Sequence, residues 1–213
     1  MTHDRIAVLV PSRDRPEELS GAYDSLLRTS EEADLLCYVD DDQRDLYEGT
    51  VSDPSRLKMM FGPRVGPIAA VNALYNSDTG YAAYLVITDD SRLMTPGWDR
   101  TLLGIGKKHD IWAASPTHNL GLNMDYAVVS GEWARALGWV CYPACYHWCW
   151  PSVIEVLGEA TTLFRLKPGI CHIEHSHLYP SNQHATASDN AQLYAFFTHG
   201  RYYVCVDRLR KAS

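Results

Sequence analysis

The chain has 213 residues, 46% of them apolar and 21% charged, with a formal net charge of −7. That is the make-up of an ordinary soluble globular protein with one sizeable core. The acidic balance excludes a general attraction to phosphate backbones, and no stretch reaches the ~18 apolar residues needed to cross a bilayer. The apolar run Ile6 to Val10, flanked by Arg5 and Arg13, is too short for a signal-peptide core. A cytoplasmic location follows as the expectation, and with it six free thiols, at positions 37, 141, 145, 149, 171 and 205. The basic cluster Arg208, Arg210 and Lys211 reads as a solvated tail.

In chain order, IAVLV (6–10) predicts a buried strand, and Pro16 opens a helical pattern through Leu19, Tyr23, Leu26 and Leu27. ADLLCYV (33–39) predicts a second strand that stops at Asp40-Asp41-Asp42, and LKMMF (57–61) a third. GPIAAVNALYNSD (66–78) has helical spacing, and YAAYLVI (81–87) is a fourth strand ending on Thr88-Asp89-Asp90. Further on, IWAAS (111–115) and DYAVVS (125–130) predict strands, and GEWARALGW (131–139) a helix capped by Ser130. PSVIEVLGEATTLF (151–164) predicts a helix, and ICHIEHSHL (170–178) an alternating segment. One long helix with an aromatic stripe of Tyr194, Phe197 and Tyr203 is expected from about 187 to 210. Alternating strands and helices imply a mainly parallel sheet. No repeat or linker interrupts the chain, so one domain is expected over 1–213.

In parallel sheets ligands bind beyond the carboxyl ends of the strands, and three of those ends are polar here. Asp89-Asp90 either caps the helix near residue 98 or holds something positive, such as a hard divalent cation on a diphosphate. Asp40, first past the second strand, suits a nucleobase or ribose, and Ser12 and Arg13 suit the diphosphate or base. Arg64 precedes Gly66, where amides at a helix N-terminus can face phosphate. His172, His175 and His177 lie beside Glu174, and imidazole is a good ligand for manganese or zinc. Cys141, Cys145, His147 and Cys149 do not have the spacing of a paired-cysteine zinc site. Tyr146, Trp148 and Trp150 around them predict an aromatic wall that stacks on a sugar or base.

IAVLVPSRDRPEEL, YVDDD and GPIAAVNALYNSDTGYAAYLVITDDSRLMTPGW together resemble the N-terminal half of a family 2-like glycosyltransferase. The resemblance implies a GT-A fold, an α/β architecture with a mixed, mainly parallel sheet flanked by helices. It implies a nucleotide-sugar half over about 1–100 and an acceptor half over about 101–213. Pro11, Ser12, Arg13, Asp40, Arg64, Gly66, Asn72 and Asp89 take the donor-binding positions. Asp89 and Asp90, with His175 or His177, take those of the Mn2+ or Mg2+ ligands, and Thr88 stands where many members have the first Asp. The implied donor is a nucleoside diphosphate sugar, with uridine the family's commonest base. The acceptor is a hydroxyl compound: a glycan, a small molecule or a hydroxymethylated DNA base, for which aromatic side chains would suit an extruded base. Inverting members set an acidic base just ahead of the helix that begins here at Pro151-Ser152, where no carboxylate stands. Glu155, His147 and Glu132 are the substitutes. Two rivals remain: a binding module without catalysis, and a sugar-phosphate nucleotidyltransferase, whose Gly-rich loop with Lys is missing from PSRDRPEEL.

Overall fold

The computed structural model describes residues 3–51, 53–116, 126–146, 149–166, 170–176 and 183–213. The first unit alternates strand and helix: β1 (His3–Ser12), α1 (Pro16–Thr29), β2 (Ala33–Asp40), α2 (Arg44–Tyr47), β3 (Leu57–Gly62), α3 (Pro67–Ser77) and β4 (Tyr81–Val86). There follow β5 (Ser91–Leu93), α4 (Trp98–Gly106), β6 (Ala113–Ser115), β7 (Val128–Ser130), α5 (Gly131–Leu137), α6 (Trp150–Thr161) and β8 (Phe164–Leu166). The chain ends with β9 (Ile173–His175), α7 (Gln183–Thr198) and α8 (Arg201–Ala212). Among the described residues, seven strands form one sheet in the order β3-β2-β1-β4-β7-β6-β8, and β5 pairs with β9 in a second, two-stranded sheet. In the large sheet only β7 runs against its neighbours.

The period of two along β1, β2 and β4 sorts their side chains into two cores. Ile6, Val8 and Val10 join Leu35, Cys37, Val39, Ala83 and Leu85 under α1 and α4. Ala7 and Leu9 join Leu36, Tyr38, Tyr84 and Val86 under α3, α5, α6 and α8. Covered on both faces, these strands read as continuous apolar runs. Ser130 caps α5 by accepting from the Trp133 amide, as its sequence position predicts.

Three expectations change. The terminal helix is two helices, because Gly200 takes a left-handed backbone (φ 78°) between α7 and α8. The break leaves Tyr194 and Tyr203 exposed and buries Phe196, which meets Tyr142 at 4.7 Å between ring centroids. The basic cluster is solvent-exposed as expected, but it lies on the helix α8 rather than in a free tail. Arg208 donates to the Leu137 carbonyl at the end of α5, Arg210 to Ala160 near the end of α6, and Lys211 pairs with Asp207. These guanidinium groups satisfy carbonyls that helix ends leave open. Nor are all six thiols free: Cys145 and Cys149 form a disulfide just ahead of α6, while Cys37, Cys141, Cys171 and Cys205 are free and buried. Among the described residues no helix is long and apolar enough to cross a membrane.

Asn72 on α3 fastens the two halves. Its Oδ1 accepts from the Val140 and Cys141 amides (3.1 Å each), and its Nδ2 donates to the Cys141 carbonyl (2.8 Å). Replacing it by alanine orphans all three backbone groups. Asn72→Ala is expected to lower unfolding stability by about 2–4 kcal/mol in urea titration.

Candidate active site

Register puts the polar strand ends together. Leu9 of β1 stands opposite Val86 of β4, so Ser12 and Asp89, each three residues on, meet beyond the sheet. Ser12 Oγ donates to Asp89 Oδ2 at 2.7 Å. That uses the only serine proton, so the Tyr47 hydroxyl, 2.7 Å away, donates to Ser12 and in turn accepts from the Arg15 amide. Arg15 Nη1 approaches Asp89 Oδ1 at 3.3 Å. Burial pushes the Asp89 carboxyl above its ordinary value, with Ser12 and Arg15 pulling against it.

Asp90 turns the other way. β5 and β9 pair so that Ser91 stands opposite His175, which brings His175 Nδ1 to 3.5 Å from Asp90 Oδ1. Burial works against ionisation of Asp90, but hydrogen bonds from His175 and Thr88 together outweigh it and hold the carboxyl at about 2. The other face of the imidazole meets Tyr126, whose hydroxyl lies 2.6 Å from Nε2 and 3.1 Å from Ser91 Oγ. With Nδ1–H directed at a carboxylate, Nε2 is left to accept from Tyr126. The helix-cap alternative for Asp89-Asp90 falls away: α4 starts after Gly97, which makes no side-chain cap. Both carboxylates are buried and both face cationic or imidazole side chains.

At the end of β2, Arg13 takes hold of Asp40 (2.7 Å) and grips Asp42 with two bonds (2.7 and 2.8 Å). The Arg13 guanidinium lowers the Asp42 carboxyl. Gly66 caps α3 with φ 81°, and Arg64 before it is exposed. A cleft of about 270 Å³ opens between α3, α6 and the strand ends, lined by Pro11, Pro67, Thr88, Tyr126, Trp150 and His175 among others. A larger cavity, about 670 Å³, lies near Asp4, Ala82 and Glu132 at the amino edge of the same sheet. The smaller one sits at the carboxyl edge, where a parallel sheet presents its ligands.

The structure therefore brings Pro11, Ser12, Asp89, Asp90, His175 and Trp150 together, with Arg13 and Asp40 alongside. Glu132 is not with them; it pairs with Arg135 (2.8 Å) beside the larger cavity. Asn72 is taken up by the Val140–Cys141 backbone. Tyr146 is exposed, and its amide donates to Asp189, which also accepts from the Cys149 amide (3.0 Å). Glu155 stands one turn after Pro151 on the same face of α6, half-buried, its carboxyl raised by burial and then by Glu159. His147, Trp148 and His177 lie outside the described residues. Arg15, Tyr47 and Tyr126 are site residues that sequence reasoning missed. Only Arg15 carried a signal, as the second arginine of the loop after β1.

No protein-family model matches the chain, and no curated protein is similar to it in sequence. Solved structures do match in fold. The mannosyltransferase PcManGT from Pyrobaculum calidifontis, solved in complex with GDP-Man and Mn2+, superposes with a TM-score of 0.64 at 13% identity, over 98% of this chain and 73% of that one. S. aureus TarS 1–349 superposes with a TM-score of 0.55 at 10% identity, over 76% of this chain and 58% of that one. A second TarS structure gives 0.57 at 10% identity, over 77% of this chain and 35% of that one. The chain thus has the α/β GT-A fold, and it spans little more than half the length of TarS 1–349.

A carboxyl depressed in the folded state contributes stability above its unfolded value, about 3.9, and loses it as pH falls through the folded value, about 2. In chelator, the native protein should lose about 2 kcal/mol between pH 4 and 2 that Asp90→Asn does not lose, read by urea titration at each pH.

Proposed function

We propose that the chain is a glycosyltransferase that takes a sugar from a nucleoside diphosphate sugar and passes it to an acceptor hydroxyl, with a divalent cation at Asp90 and His175. The observation that carries this reading is the Asp90–His175 pair at the carboxyl edge of a GT-A sheet. An oxygen and an imidazole nitrogen facing each other at 3.5 Å fit one cation between them, and the imidazole favours manganese over magnesium. Among the described residues no three His, Cys, Asp or Glu side chains converge; His177, the other expected ligand, lies outside them, and the diphosphate and water can also ligate the cation. When bound, the cation supplies positive charge against the charge that builds on the departing diphosphate.

The chain's own groups prepare for this. Ligation through Nδ1 requires the imidazole proton at Nε2, where the Tyr126 hydroxyl is placed to accept it. Ser12 and Arg15 engage Asp89, so the second carboxylate need not share the cation. Arg13 and Asp40 border the nucleoside end, and Trp150 with Pro151 forms the acceptor-side wall of the cleft. Glu155, with its raised carboxyl and its place on the face of α6 shared with Pro151, is the group we assign to deprotonate the acceptor. With a net charge of −7, a glycan or small-molecule hydroxyl suits this protein better than DNA.

The test is turnover of a panel of nucleotide sugars with Mn2+, first against water and then with hydroxyl acceptors. Native protein should consume a donor, Asp90→Ala should lose both turnover and Mn2+-dependent donor binding, and Glu155→Gln should bind donor normally with transfer reduced about 10²-fold or more. Donor binding without turnover under any acceptor would favour the binding module. Absence of binding by every nucleoside diphosphate would remove the proposal.

A further inference from the structure

The turn that carries Asp89 and Asp90 leaves the sheet at Ile87, whose amide still bonds to the Leu9 carbonyl (3.2 Å), and closes through Ser91 N to Thr88 O (3.1 Å). Beyond that its backbone is gripped from two sides. Arg92 Nη1 faces the carbonyls of Asp89 (3.2 Å), Ser91 (3.1 Å) and Glu18 (3.2 Å), so its two N–H groups serve three acceptors. Ser176 donates its amide to the Asp90 carbonyl at 2.9 Å. Both grips end on one oxygen: Glu18 Oε2 accepts from Arg92 Nη2 and from Ser176 Oγ. Leu93 N adds a bond to Ser25 Oγ (3.0 Å), so β5 is tied to α1 along its length.

The guanidinium reaches this place because α1 has a glycine beneath it. A Cβ on Gly21 would stand 2.4 Å from Arg92 Nη2, 2.6 Å from Cζ and 2.8 Å from Nε. Gly21 is inside the helix, where glycine is disfavoured relative to alanine. A helix that gives up propensity at the one position covered by a guanidinium plane is accommodating that plane. Lysine cannot replace it, since a single ammonium has no planar fork to span these acceptors.

We propose that Arg92, seated on Gly21 and anchored by Glu18, is a positioning residue that sets the Asp89–Asp90 turn for cation and diphosphate. The proposal rests on the reading of this edge as a diphosphate–cation site. Arg92 touches neither ligand; it acts through the Asp89 carbonyl, and with Ser176 it determines where the two carboxylates point. Outer groups of this kind alter metal affinity about 10–100-fold.

Gly21→Ala tests it without removing any polar group, because the clashing atoms are the far end of a flexible side chain and the helix itself gains from alanine. Thermal melts are run with GDP or UDP across a Mn2+ titration, on native protein, Gly21→Ala and Arg92→Lys. The expected result is that the Mn2+ needed for half-maximal nucleotide protection rises about 10–100-fold in both variants, whatever their unliganded Tm. An unchanged Mn2+ requirement in both variants, whatever their Tm, overturns the positioning role and leaves the site reading intact. Failure of native protein to show any Mn2+-dependent protection overturns the site reading, and the positioning role with it.

Discussion

Adjacent carboxylates buried at the end of a strand repel each other and lose their water, and the geometry around β4 is arranged to make that pair tolerable. Asp89 is turned inward to Ser12 and Arg15, and Asp90 outward to His175. The opposite directions of their shifts follow: burial prevails at Asp89, hydrogen bonds to His175 and Thr88 prevail at Asp90. Two chemically identical neighbours thereby acquire different partners, one the loop after β1 and the other the imidazole of His175. The cleft beside this pair has apolar walls, Pro11, Pro67 and Trp150 among them, and His175 is on its lining.

Long-range connections make that arrangement stable. The loop after β1 supplies Ser12 and Arg15, α2 supplies Tyr47, and a three-residue strand some eighty positions downstream supplies His175. β5 and β9 are a small addition to the fold, yet their register alone places the imidazole against Asp90. On the far side of the cleft, the Cys145–Cys149 disulfide and Asp189 fix the entry to α6, and so the orientation of Trp150. At the end of β2 Arg13 neutralises Asp40 and Asp42, which would otherwise form a second acidic patch at the carboxyl edge of the sheet.

Much of the N-terminal half was legible because its signals are local. IAVLV, ADLLCYV and YAAYLVI are buried on both faces and so read as apolar runs, and Pro16 and Ser130 mark helix starts by their backbone chemistry. The polar strand ends were equally legible, Ser12 and Asp89-Asp90 above all. What stayed hidden depends on register or on distant partners. Nothing in Ser91-Arg92-Leu93 announces a strand three residues long, and nothing in Asn72 announces three bonds to the Val140–Cys141 backbone. Gly200 was a visible helix stop that the apolar pattern on either side obscured. The free-thiol expectation came from compartment rather than from position, whereas Cys145 and Cys149 are four apart and face each other. Glu132 suited a base by residue type, but α5 packs at the start of β4 and carries it to the other edge of the sheet.

On the proposed function, Asp90 and His175 share one divalent cation with a nucleoside diphosphate. Pulsed electron paramagnetic resonance of Mn2+ in the ternary mixture reads it directly, through couplings to 14N of the imidazole and 31P of the nucleotide. Both couplings are expected in native protein, with the nitrogen coupling lost in His175→Gln while the phosphorus coupling persists. A phosphorus coupling alone in native protein, or spectra unchanged in His175→Gln and Asp90→Asn, would contradict it.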